Sequence, residues 1–168
     1  MKTTGSGLKD GKSGSNAGFT IVEIMVVVAV IGILCVIAVP MYSKIRNEAR
    51  GREAMSELQL LHSAIRQLAW DTGKWPGAIA REAAQSAEIW DLSTADAGLL
   101  ENDGDFTGWK GPYIRNIKED PWGNKYFFDP DYEVDGVDHV VVGSFGPNGE
   151  GPNNYDDDDL YVIIKKGS

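Results

Sequence analysis

The 168-residue sequence predicts an α+β fold, with a long, partly transmembrane N-terminal helix packed against a small C-terminal antiparallel β-sheet. Three observations carry that expectation. From Ile24 to Tyr42 no residue is charged and Val, Ile, Ala, Leu and Met dominate. From Ile45 to Leu68 apolar side chains recur at helical steps. Near the C-terminus, Tyr126-Phe127-Phe128, His139-Val140-Val141-Val142 and Leu160-Tyr161-Val162-Ile163-Ile164 are aromatic or β-branched runs bounded by turn residues, which reads as three short antiparallel strands.

Residues 1–18 are rich in Gly, Ser and Lys and hold almost nothing apolar, so they cannot bury enough surface to offset chain entropy. Residues 19–42 follow as an abrupt apolar segment. As a helix, the uncharged run covers roughly 28 Å, close to the hydrocarbon thickness of a bilayer. A buried core helix is the alternative, but a chain this short rarely hides a helix that is apolar on every face. A secretory signal would place a small-residue cleavage site after the apolar run. Here the order is inverted, with a polar leader ending in Gly18 before it. Glu23 lies inside this apolar context. A carboxylate at membrane depth costs a few kcal/mol without a partner, on the order of 3. It either marks the headgroup boundary or meets a positive charge; no basic residue lies at helical spacing, so that charge belongs to another chain.

Pro40 lacks a backbone donor and is expected to kink or loosen the helix. Over residues 43–70, Ile45, Ala49, Met55, Leu58, Leu61, Ile65 and Leu68 form one apolar face, with Arg46, Arg50, Arg52, Glu53, Glu57 and Arg66 elsewhere. A coiled-coil stalk needs a longer stripe. Asp71-Thr72-Gly73-Lys74-Trp75-Pro76 ends the helix, with Gly at a cap position and Pro soon after. Residues 71–168 then make a globular head. Ala- and acid-rich stretches at Ile79-Ala84 and Ala97-Leu100 suggest one or two short helices in a long connection.

The formal net charge is −9, from 16 Lys plus Arg against 25 Asp plus Glu. Residues 101–168 hold 15 acidic and 6 basic side chains and account for all of it. No basic footprint for nucleic acid exists. One cysteine, Cys35, excludes an intramolecular disulfide and a cysteine zinc cluster. His62 and His139 are the two histidines; each reads as a packing or surface residue, and no nucleophile motif or phosphate loop accompanies them, so an enzyme is not expected.

Asp156-Asp157-Asp158-Asp159 places four carboxylates directly before an apolar run. They form either a solvated loop or an oxygen site for a hard divalent cation, since calcium accepts six to eight such ligands flexibly. Asp129-Pro130-Asp131-Tyr132-Glu133-Val134-Asp135-Gly136 partly fits an EF-hand loop. Its twelfth position falls on Val142 where a bidentate Glu is needed, so a hairpin turn is the better reading.

The stretch Gly18-Phe19-Thr20-Ile21-Val22-Glu23, continued by an apolar helix with Pro40 near its end, resembles the N-terminal signature of type IV pilins and type II secretion pseudopilins. Gly108-Trp109-Lys110-Gly111-Pro112-Tyr113 and Asp120-Pro121-Trp122-Gly123-Asn124-Lys125-Tyr126 resemble segments of the major pseudopilins among them. The resemblance implies a type IV pilin-like fold and cleavage by a prepilin peptidase between Gly18 and Phe19. It also implies N-methylation of Phe19 and pairing of Glu23 with the terminal amine of a neighbouring subunit. The subunit would span the inner membrane once, with its head in the periplasm. It would assemble into a helical homopolymer alongside minor pseudopilins and an inner-membrane assembly platform, and so take part in protein secretion. Ser144-Phe145-Gly146-Pro147-Asn148-Gly149 and Asp158-Asp159-Leu160 are similar to the ends of that family's Ca2+ loop. Carried over, Phe145 supplies a carbonyl, Asn148 its side-chain oxygen, Asp158 and Asp159 their carboxylates, and Asp156 a further carbonyl. Asn148 stands where the family has Asp, which removes one charge; Asp156 and Asp157 offer replacements. A type IV pilus subunit is the alternative, although such pilins usually close a C-terminal loop with a disulfide that this chain cannot form. A membrane-anchored binding or enzymatic domain is a third reading, with no site to support it.

Overall fold

A computed structural model describes residues 18–81, 88–152 and 156–166. The leader over 1–17 and the second half, 82–84, of the helix expected at Ile79-Ala84 lie outside them. The chain divides into two units, Met1–Tyr42 and Ser43–Ser168.

Helix α1 (Ile21–Thr72) runs through both units and continues past Pro40 without a break. In the first unit every side chain from Phe19 to Ala38 is exposed, including the whole aliphatic series. A helix apolar on all sides and covered by nothing of its own has the composition and length to cross a membrane.

In the second unit α1 buries Ala54, Leu58, Leu61, Ala64, Ile65, Leu68 and Ala69. The stripe expected to begin at Ile45 and Ala49 therefore starts later, since both of those residues are exposed. Periodicity reports which face is apolar, not how much of it the head covers. Gly73 ends the helix at φ 71°, and its N–H reaches the Ala69 carbonyl at 3.0 Å.

Strands β1 (Lys74–Trp75) and β2 (Ile79–Ala80) pair as a two-residue hairpin across a 3-10 turn at Pro76–Ala78. The helix expected from Ile79 thus begins as strand instead. Trp75 and Ile79 face each other in register and are both buried, and that packing overrides the helix preference of the alanines. The second expected helix is a single 3-10 turn at Ala95–Ala97.

Strands β3 (Tyr126–Val134), β4 (Val137–Ser144) and β5 (Leu160–Lys165) form an antiparallel meander in the order β3-β4-β5. Asp135-Gly136, both at positive φ, make the two-residue turn between β3 and β4. The rest of the stretch read as a turn belongs to β3, which bulges between Asp129 and Tyr132 where Pro130 has no N–H to give. Strand alternation divides the apolar residues between two layers. Tyr126, Phe128, Val140 and Val142 meet Leu58, Leu61, Ile65 and Leu68 of α1. Phe127, Tyr132 and Val141 face the other way and pack with Phe145. Phe145 stacks on Phe127 at a centroid distance of 4.5 Å, which draws the residues after β4 back over the sheet.

Candidate functional site: the helix start and the acidic loop

Two places bear the residues singled out by the sequence. At the first, Gly18, Phe19 and Thr20 precede α1, and Phe19 is exposed. Glu23 Oε2 accepts the Thr20 N–H at 2.7 Å and the Thr20 hydroxyl at 2.8 Å, while the Glu23 N–H reaches Thr20 Oγ1 at 3.2 Å. This is a reciprocal capping box. The Thr-x-x-Glu spacing carried that signal, and the sequence reading passed over it. Within this chain Glu23 therefore has hydrogen bonds but no opposite charge from a side chain at helical spacing.

At the second, the residues after β4 come together with those before β5. The Asn148 N–H reaches Asp158 Oδ2 at 3.1 Å. Its side-chain Nδ2 donates to Asp156 Oδ2 at 2.7 Å and to Asp158 Oδ1 at 2.9 Å. Asn148 Oδ1 accepts the Glu150 N–H at 2.7 Å. Asn148 was expected to present its oxygen; it presents its nitrogen. The physical reason is electrostatic, because two carboxylates converge and an amide N–H is the nearest positive dipole. A half-turn of the planar amide would exchange the two atoms. The Phe145 carbonyl accepts the Gly149 N–H at 3.2 Å, and the Asp156 carbonyl accepts the Asp159 N–H at 3.3 Å.

Asp159 is the buried member of this group. Its Oδ2 accepts the Tyr132 hydroxyl at 3.2 Å and the Asp156 N–H at 3.4 Å, whereas its buried Oδ1 has no hydrogen-bond partner. An orphaned carboxylate oxygen beside two more carboxylates is a donor set suited to a hard cation. Asp157 is exposed at the turn. Tyr132 was not foreseen; burial, with Asp159 beside it, holds its phenol well above the ordinary range, so it remains a donor.

Burial pushes the Asp159 carboxyl up to about 6, and the charges of Asp156 and Asp158 add to the rise. Asp156 moves the other way, lowered by the Asn148 amide and the Asp158 N–H. Asp159 is raised above its unfolded value, so without metal its contribution to stability is full below about pH 4 and is lost as pH rises through about 6. In chelator, the melting temperature of Asp159→Asn relative to the unaltered chain is expected to climb between pH 4 and 7. Parallel profiles would contradict it.

A further acidic group, Glu88, Asp129 and Asp131, has carboxylate oxygens within 4.8 Å of one another. Asp129 Oδ1 accepts the Asp131 N–H at 2.8 Å, an arrangement that serves the β3 bulge.

Residues 14–39 match the prokaryotic N-terminal methylation motif. A type IV major pilin protein of Neisseria gonorrhoeae is 29% identical over 101 residues, which is 60% of this chain and 46% of the pilin. With the long α1 and the meander behind it, these define a type IV pilin-like subunit. Residues 42–161 match the family described as type II secretion system (T2SS), protein G. A type II secretion system core protein G of Klebsiella pneumoniae is 30% identical over 153 residues, 89% of this chain and 96% of the relative. Its counterpart in Escherichia coli (strain K12) is 31% identical over 133 residues, 79% and 83% of the two chains. No solved structure matches the chain. The chain belongs to the type II secretion system protein G family, the major pseudopilins, which are structural subunits.

Proposed function

We propose that the chain is cut between Gly18 and Phe19 by a prepilin peptidase, methylated on Phe19, and held in the inner membrane by residues 19–42 with its head in the periplasm. From there it polymerises through α1 into a periplasmic pseudopilus, together with minor pseudopilins and an inner-membrane assembly platform. Its work is mechanical and not catalytic. The observation that carries this reading is the start of α1, where a first-turn carboxylate precedes an exposed apolar stretch of the helix. Such a helix is stable only among lipids or other helices of its kind. A cleaved Phe19 would bring a new amine of opposite charge to Glu23 of a neighbour. Deleting the gene is expected to retain the secreted substrates in the periplasm almost completely, with export restored by the unaltered gene. Normal export from the deletion strain would contradict the proposal.

The same reading extends to calcium. Asp156, Asp158 and Asp159 would hold the ion with carboxylate oxygens, the Phe145 carbonyl and a turned Asn148 amide adding neutral ligands. The ion would supply positive charge to the Asp156, Asp158 and Asp159 carboxylates, and would give Asp159 Oδ1 the partner it lacks.

A further inference from the structure

We propose that Asp120, Ser144 and Asn124 are positioning residues for the cation loop, setting the direction of the Phe145 carbonyl; the inference rests on the calcium reading above.

Residues 120–124 form a closed turn. Asp120 Oδ1 accepts the N–H groups of Trp122 at 2.9 Å and Asn124 at 2.8 Å, and the Asp120 N–H reaches the Asn124 carbonyl at 2.8 Å. This leaves Asp120 Oδ2 facing outward from the turn, where the Ser144 hydroxyl donates to it at 2.5 Å. Both side chains are buried. With its proton committed to a carboxylate, Ser144 Oγ can only accept on its remaining side. There it takes the Gly146 N–H at 3.1 Å. Asn124 Nδ2 holds the other end of the same residue, donating to the Gly146 carbonyl at 2.9 Å.

Both backbone polar groups of Gly146 are thus tied to the 120–124 turn, one through Ser144 and one directly. The consequence lies one atom upstream. The Gly146 N–H and the Phe145 C=O share one planar trans peptide unit and point in opposite directions. Fixing the N–H on Ser144 therefore aims the Phe145 carbonyl away from it, and the carbonyl has a second lone pair beyond its bond to Gly149.

A second observation ties the same residue to the acidic half of the loop. Gly146 sits at φ 60° so close to the Asp158 backbone that a Cβ would overlap the Asp158 carbonyl oxygen. The separation between the neutral and acidic halves is set where these two backbones touch. Moving Gly146 would change the distance from the Phe145 carbonyl to all three carboxylates together. Partners that orient metal ligands from behind typically contribute about 10- to 100-fold in metal affinity.

The test is calcium titration calorimetry on the full-length chain in detergent, comparing the unaltered protein with Asn124→Ala and Ser144→Ala. Melting temperatures in chelator are measured beside it. Each variant is expected to bind Ca2+ about 10- to 100-fold more weakly. A merely structural role would lower the chelated melting temperature and leave the affinity of the folded protein unchanged. If Ser144→Ala fails to fold because Asp120 Oδ2 is left buried and unpaired, Asn124→Ala decides, since Asn124 is only half-buried. Variants that bind calcium as the unaltered chain does would overturn the positioning role alone. An unaltered chain that binds no calcium would overturn the calcium reading and this proposal with it.

Discussion

Glu23→Val is expected to insert in the membrane as well as the unaltered chain and to assemble into filaments at a small fraction of its yield. The substitution extends an aliphatic stretch of helix that already lacks charge from Ile24 to Tyr42, so partition into lipid is no weaker. What it removes is the carboxylate that Thr20 caps in the single subunit. In the filament that carboxylate is proposed to meet the amine of a processed neighbour, where the surroundings are apolar and the attraction is weakly screened. An unpaired charge at membrane depth costs roughly 3 kcal/mol. A contact worth that much at each addition step corresponds to a factor of about 100 in subunit affinity. Counting sheared filaments by immunoblot, with membrane fractions as the control, reads both quantities. Normal filament yield would remove the amine-pairing role.

Adding calcium to the chelated chain is expected to raise the melting temperature of the head, and Asp159→Ala is expected to abolish that rise. Binding at a concentration about 100 times Kd adds about 2.7 kcal/mol. For a head of this size the shift is roughly 10 °C. The Asp156 and Asp158 carboxylates share the Asn148 amide as a donor, and their charges add to the rise at Asp159, so the metal-free loop has charge still to compensate. Asp159 is the informative position because its Oδ1 is buried and unpartnered. Removing the carboxylate relieves that cost in chelator and removes the ligand in calcium, so the two conditions should converge. A full calcium shift in Asp159→Ala would assign the ion to other residues.

Much of the fold was legible in the sequence because local signals and packing agree. Gly73 ends α1 as its cap position implied, and the three aromatic and β-branched runs became β3, β4 and β5. The connection after α1 was not legible. Ile79-Ala80 has the neighbours of a helix but the burial of a strand, and only the facing Trp75 decides between them. Ile45 and Ala49 share the period of the core-facing stripe yet remain exposed, because spacing does not encode what covers a face.

The acidic loop was legible as a cluster of carboxylates, and its ligand set only by resemblance. The direction of the Asn148 amide depends on contacts across ten residues of chain and leaves no mark in composition. The same holds for Tyr132, brought to Asp159 from the middle of β3. By contrast, the Thr20–Glu23 capping box was written in adjacent positions.

If this chain is a processed pseudopilin, the mass of the subunit in assembled filaments shows it. Intact-mass and N-terminal fragment spectra are expected to find a chain beginning at Phe19 and carrying one methyl group on its terminal amine. Assembled subunits that still begin at Met1 would contradict the account.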